Sequence, residues 1–300
     1  MTNQPTPFKN RAGDAVMEYI RNADHRCTPR ELERTIALRL GADRRAVRQA
    51  VRKLVFENRL VYTYLMGHTF LEISYRQPVD VGGGVILAPP EISCRPGPEQ
   101  VLIRIAPGAA FGMGDHATTR ISLQLISWAM RTRGLAGPPS ALRVLDIGTG
   151  SGVLAIGACL MGAGAAVGID TDACARAEAG QNVRLNELED RVRIMETTGD
   201  GVEICPREYC TTPFSLVLAN LRYPTLSRLS GGIRQLAAPG AVLIFSGFRP
   251  SELPDLVATY ESGGFQCLRT LSENAWCGIV LEKPPDKPGN TRATCTLHAS

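Results

Sequence analysis

Residues 144–152 read Val-Leu-Asp-Ile-Gly-Thr-Gly-Ser-Gly, and no other segment constrains the fold as much. An apolar strand runs into a turn with glycine at alternate positions, and a helix opens at about Ser151. Glycine lets such a turn take positive φ and lets a ligand come close to the main chain. The helix start offers free N–H groups and partial positive charge. A strand, a tight turn and a helix in this order belong to a doubly wound α/β sheet.

The chain downstream repeats that alternation. Apolar strands are expected at 143–147, 166–169, 192–195, 215–220, 241–246, 265–270 and 276–281. Helical segments separate the first five. The last two lie too close together for a crossover helix, so they should pair antiparallel. The expected fold is therefore α/β, a seven-stranded, mostly parallel sheet. Composition agrees: 44% hydrophobic and 21% charged residues suit a soluble globular protein. Residues 147–169 carry no charge and could reach across a bilayer. They also hold seven glycines between Asp146 and Asp170, so they read as loop, helix and strand, and no membrane partner is expected. The opening residues lack the apolar stretch of an export signal. Nine scattered cysteines suggest reduced thiols, hence a cytoplasmic protein. Cys205 and Cys210 find no second pair or suitably spaced histidine, so no metal is expected.

The spacing of the glycines narrows the ligand. A dinucleotide fingerprint needs its third glycine one place later, where Val153 stands. The loop Asp146, Gly148, Gly150, Gly152 instead resembles the first motif of S-adenosylmethionine-dependent methyltransferases. Asp170, at the end of the next strand, is placed to accept ribose hydroxyls. Asp200 follows the third strand, where such enzymes often hold the adenine. Asn220 ends the fourth strand and faces the reaction site. Its neutral carbonyl can orient an attacking amine without protonating it.

Further segments resemble one family. Phe111-Gly112-Met113-Gly114-Asp115-His116-Ala117-Thr118-Thr119-Arg120 is similar to the F-G-x-G-x-H-x-T-T segment of the bacterial methyltransferase that modifies ribosomal protein eleven of the large subunit. The likeness continues at Asn220-Leu221, Ser246-Gly247-Phe248 and Ala275-Trp276-Cys277-Gly278, and covers about residues 101–283. It implies cofactor contacts from Thr119, Gly148, Asp170 and Asn220. It also implies an N-methyltransferase acting on a lysine or α-amine of a protein, with a ribosomal protein as partner. The sequence departs from the family at Met113 and Ala117, usually Thr and Pro, and at Arg222-Tyr223. An RNA or small-molecule acceptor, or a regulator that only senses the cofactor, are the alternatives.

The amino-terminal quarter differs in kind. Residues 1–76 hold 14 Lys/Arg against 8 Asp/Glu, while the remainder is slightly acidic. Helical faces are expected at Ala15, Val16, Tyr19, Ile20, then at Leu32, Ile36, Leu40, and then at Val47, Val51, Leu54, Val55. A hairpin should follow, turning at Met66-Gly67-His68. Three helices and a hairpin resemble a winged helix-turn-helix. Arg44, Arg45, Arg48 and Arg52 lie within about 100° on the third helix, a face that could meet nucleic acid or dock a protein. Residues 1–76 are thus expected to form this module, 77–98 a linker with a short strand at 85–87, 99–283 the methyltransferase domain, and 284–300 a disordered tail.

Overall fold

The structure, a computed structural model, describes residues 7–23, 25–112, 114, 116–133, 142–197, 204 and 212–285. Asp200, Met113, Asp115, Cys205, Cys210 and the tail from 286 lie outside the described residues.

Three helices open the chain: α1 (Pro7–Asn22), α2 (Pro29–Leu40) and α3 (Arg44–Phe56). Helix α2 starts on a capping box. Glu31 N–H donates to Thr28 Oγ1 at 3.3 Å, and the Glu31 carboxylate accepts from Thr28 N–H at 3.5 Å. It stops at Gly41, whose φ of +60° ends the helix. Strands β1 (Leu60–Leu65) and β2 (His68–Ile73) pair antiparallel. The two-residue turn between them has positive φ at both Met66 and Gly67, matching strand twist. Val16, Leu32, Ile36, Val47, Val51, Leu54, Leu60 and Leu71 form one buried cluster. These are the expected helical faces, with Tyr19, Ile20, Leu40 and Val55 packed at its margin.

Residues 77–98 hold more structure than a tether. Strand β3 (Val79–Gly82) pairs antiparallel with β4 (Val85–Ala88), which pairs parallel with β5 (Val101–Arg104). The sheet lies on α4 (Ala117–Thr132). Gln124 donates to Val81 O at 2.8 Å, and Ser127 Oγ donates to Gly83 O at 2.5 Å. Val79, Val81, Val85 and Leu87 join the main core.

The large sheet contains β6 (Arg143–Ile147), β7 (Ala165–Asp170), β8 (Val192–Glu196), β9 (Phe214–Asn220), β10 (Ala237–Phe248), β11 (Gln266–Glu273) and β12 (Trp276–Glu282). Its order is β11-β12-β10-β9-β6-β7-β8. The five strands from β6 to β10 run parallel, and β12 and β11 add the expected antiparallel end. Helices α4, α5 (Val153–Leu160) and α6 (Ala173–Leu185) cover one face. Helices α7 (Tyr223–Leu236) and α8 (Leu253–Ser262) cover the other. Burial on both faces explains the unbroken apolar run Leu216-Val217-Leu218-Ala219. No helix among the described residues is long and apolar enough to cross a membrane.

Strand β6 is followed by β7 on one side, yet its other neighbour is β9. This reversal opens a crevice at the carboxyl ends of the strands, where such sheets bind ligands.

Candidate functional site

A cavity of about 460 Å³ occupies that crevice. Gly148, Gly150, Asp170, Asn220 and Leu221 line it, with Phe111 on its rim. Four residues singled out from the sequence are thus brought together: Gly148, Gly150, Asp170 and Asn220. Thr119, Asp146 and Gly152 do not line the cavity.

The glycines are required by what surrounds them. A Cβ on Gly148 would lie 2.7 Å from Leu221 Cδ2. A Cβ on Gly150 would lie 2.4 Å from Phe111 O, at a φ of +55°. The turn therefore fits under two other loops only if it lacks side chains there. Gly152 instead packs the turn against Ala179 on α6.

Asp170 braces the turn and still faces the cavity. Its Oδ2 accepts from Gly150 N–H at 2.9 Å, and its Oδ1 from Asp172 N–H at 3.0 Å. Each carboxylate oxygen keeps a second lone pair for a ligand hydroxyl.

Asn220 sits half-buried at the end of β9, and its amide has no partner among the described residues. The next residue fixes its position. Leu221 N–H donates to Ser246 O at 3.0 Å. Leu221 presses on Gly148 from one side, and Gly247 passes so close that a Cβ there would meet Leu221 O at 2.6 Å. Ser246, paired with Asn220 in the sheet, also anchors α4. Its hydroxyl lies 2.7 Å from Ser122 Oγ and donates to Thr118 O at 3.2 Å. Thr119 is therefore carried in the first turn of α4, beside the end of the reacting strand. Its hydroxyl is fully buried and has no partner among the described residues. Such an orphan costs about 1–3 kcal/mol.

Asp146 lies beneath the turn. Its Oδ2 accepts from Thr149 Oγ1 at 2.7 Å and from Ala155 N–H at 3.2 Å, while Oδ1 has no partner among the described residues. Complete burial pushes its carboxyl up to about 7, although both hydrogen bonds oppose the shift. A folded-state value above the unfolded one means the native chain holds an extra proton between the two. The stability this carboxyl gives is full below about pH 4 and is lost as pH rises through about 7. Melting curves should show wild type losing about 4 kcal/mol relative to Asp146→Asn over that range. Parallel curves would contradict the assignment.

His116 caps α4. Its Nδ1 accepts from Thr118 N–H at 3.3 Å, and its ring sits between Phe111 and Trp276. Arg249 lies 3.8 Å above the Trp276 ring.

One positioning device escaped the sequence reading. Glu178 and Asn182 on α6 and Asn186 at its C-cap form a polar stripe at four-residue spacing. Glu178 accepts from Ala109 and Ala110 N–H at 2.9 and 2.8 Å. Asn182 accepts from Ala106 N–H and donates to Ser151 O, at 3.0 and 2.8 Å. Asn186 bonds both main-chain groups of Arg104. The stripe zips residues 104–110 to α6 and delivers Phe111 to the glycine turn, where Phe111 O accepts from Ser151 N–H at 2.9 Å. The spacing was a readable signal; its partners were not.

The sheet order and this cradle define the class: a Rossmann-like methyltransferase domain. The family described as ribosomal protein L11 methyltransferase (PrmA) matches residues 71–284, and this chain belongs to it. The ribosomal protein L11 methyltransferase of Geotalea daltonii is 34% identical over 216 residues, covering 70% of this chain and 66% of its own length. That of Gloeobacter violaceus is 32% identical, covering 71% and 61%. The match thus spans a little under two thirds of these relatives. Among solved structures, the ribosomal protein L11 methylase of Lactobacillus delbrueckii subsp. bulgaricus superposes with a TM-score of 0.59 at 26% identity, over 69% of this chain and 99% of that one. Residues 1–70 lie outside the family match. S-adenosylmethionine is the cofactor that family and fold assign. The residues present fit it: a cradle that side chains would fill and a carboxylate at its lip.

Proposed function

We propose that this chain transfers a methyl group from S-adenosylmethionine to an amine nitrogen of a protein, a lysine or an α-amine, and that the acceptor is ribosomal. The observation that carries this reading is Asn220, an amide without a partner among the described residues at the edge of the cavity, next to Leu221, which is held between Gly148 and Gly247. The relatives' shared name supports the ribosomal acceptor.

Bound S-adenosylmethionine supplies a methyl group on a cationic sulfur, open to direct displacement. Asp170 holds the sugar hydroxyls; Gly148 and Gly150 let the main chain approach the ligand. Thr119 contributes its buried hydroxyl, and Asp200 is assigned to the adenine. Asp146 and Gly152 shape the turn from behind. The Asn220 carbonyl accepts an N–H of the neutral amine and aims its lone pair. Alignment provides most of the acceleration in such a step. No residue need take a proton during attack, because the amine has already given one to water. The rate should therefore rise about tenfold per pH unit toward the amine value, about 10.4 for an ordinary lysine. A flat profile from pH 7 to 10, with chemistry limiting, would argue against an unassisted amine.

The decisive experiment supplies methyl-labelled cofactor to ribosomes and extract lacking this chain's product. Label should appear in protein, as an N-methyl amino acid. Label in RNA or in a small molecule would replace the acceptor. Cofactor binding without transfer to any acceptor would favour a sensor.

Residues 1–76 serve in this reading as a winged-helix recognition module within a cytoplasmic enzyme. Arg44, Arg45 and Arg52 are exposed, whereas Arg48 is clamped by Glu33 at 2.7 and 2.8 Å. The three remaining charges suit a phosphate backbone beside the acceptor. Methylation of assembled particles should then weaken with salt more steeply than that of free protein.

A further inference from the structure

The connection between α1 and α2 brings together three side chains that the methyl-transfer site does not use. His25 Nε2 lies 2.6 Å from Glu31 Oε1. Cys27 is buried at 2% exposure, with its Sγ 3.8 Å from His25 O. The three donor atoms all lie within 4.8 Å of one another. A thiolate, an imidazole and a carboxylate converging in this way form a ligand set. We propose that His25, Cys27 and Glu31 bind one divalent transition-metal ion, and that the ion is zinc.

The donor chemistry selects the metal. Sulfur and nitrogen donors exclude calcium and magnesium, which take oxygen. Zinc accepts all three donor types, at about 2.3 Å to sulfur and about 2.0–2.1 Å to nitrogen and oxygen. Tetrahedral angles then place the ligand atoms roughly 3.3–3.6 Å apart. The observed spacings, 2.6 Å between His25 and Glu31 and no more than 4.8 Å for any pair, bracket that range. His25 has room to adjust, because its side chain is half exposed. Glu31 can bind through Oε1 while Oε2 stays on Thr28 N–H, so the helix cap survives. A cavity of about 620 Å³, bounded on its far side by Tyr75, Arg120 and Glu273, reaches His25 and Cys27 and provides an entry path. Water can fill the fourth position on the exposed side.

The ion would act as a clamp. Cys27 O accepts from Leu71 N–H at 2.9 Å, so the connection is already tied to β2. Metal bound through Cys27 and Glu31 would join the hairpin, the connection and α2. Binding requires Cys27 to lose its proton, which passes to buffer.

The test uses the full chain, stripped with chelator and titrated with Co²⁺ and then Zn²⁺. One Co²⁺ per chain should bind with the intense visible bands of a tetrahedral site and a thiolate charge-transfer band. Zn²⁺ should displace it and raise the melting temperature. Cys27→Ser should remove the charge-transfer band. Because Cys27 is buried, His25→Gln provides the second arm. It should weaken Co²⁺ binding at least tenfold and leave the melting temperature of the metal-free chain unchanged. Failure to take up metal would overturn the proposal. So would uptake unaltered by both substitutions, or uptake that disappears only in Cys205→Ser/Cys210→Ser.

Discussion

Gly150→Val should lower affinity for S-adenosylhomocysteine more than 100-fold in calorimetry, which corresponds to about 2.8 kcal/mol. Two separate penalties fall on this position. Its φ of +55° is strained for any β-branched side chain. The added Cβ would also stand 2.4 Å from Phe111 O, which is main chain and cannot rotate away. The substitution must push the Phe111 loop off the turn, breaking the 2.9 Å bond from Ser151 N–H. It must also disturb the 2.9 Å bond from Gly150 N–H to Asp170, and so the carboxylate at the lip of the cavity. The cavity and its lip would be lost together. The sheet core should remain, because β6 and β7 pair before the turn begins. A folded Gly150→Ala variant with wild-type affinity would refute the cradle.

Asn220→Ala should reduce kcat by about 10²–10³-fold, the range for losing one well-placed polar group at a reacting centre. Cofactor affinity should fall less, within about tenfold. The asymmetry follows from geometry: Gly148, Gly150 and Asp170 remain to hold the ligand, while the acceptor loses its guide. Asn220→Asp is a sharper probe. A carboxylate there would favour the protonated amine, which has no lone pair to donate. The pH–rate curve should move to higher pH as well as fall. Single-turnover rates with saturating cofactor would measure both effects. An alanine variant with near-normal kcat would remove Asn220 from the reaction.

The glycine turn could be read because its information is local. Strand, positive-φ turn and helix start occupy neighbouring residues, and each demands particular residue types. The strand cores at 143–147, 192–195 and 276–281 could be read for the same reason, as could the helical faces around Val16, Ile36 and Val51. Within residues 77–98 only the short strand at 85–87 could be read; β3 and the packing of the segment on α4 could not. The segment's glycines and prolines mark loops, and β3 and β4 have four residues each. Those strands are held by Gln124 and Ser127, more than 40 positions away.

The site divides in the same way. Asp170 and Asn220 were identified because strand ends in a parallel sheet point at the crevice. Asp146 looked like a cofactor ligand, being the first acid of the motif. The folded chain encloses it completely and turns it toward Thr149 and Ala155.

Sequence by itself determined the sheet and the residues at its carboxyl edge, because backbone preference and periodicity act between neighbours; the cofactor class followed from the resemblance of the glycine loop to a known motif. Tertiary structure alone decided which acid faces the cavity and what delivers Phe111 to the turn. Those depend on contacts between segments as far apart as Arg104 and Asn186, whose meeting is set by how helices cross the sheet and by no property of either segment alone.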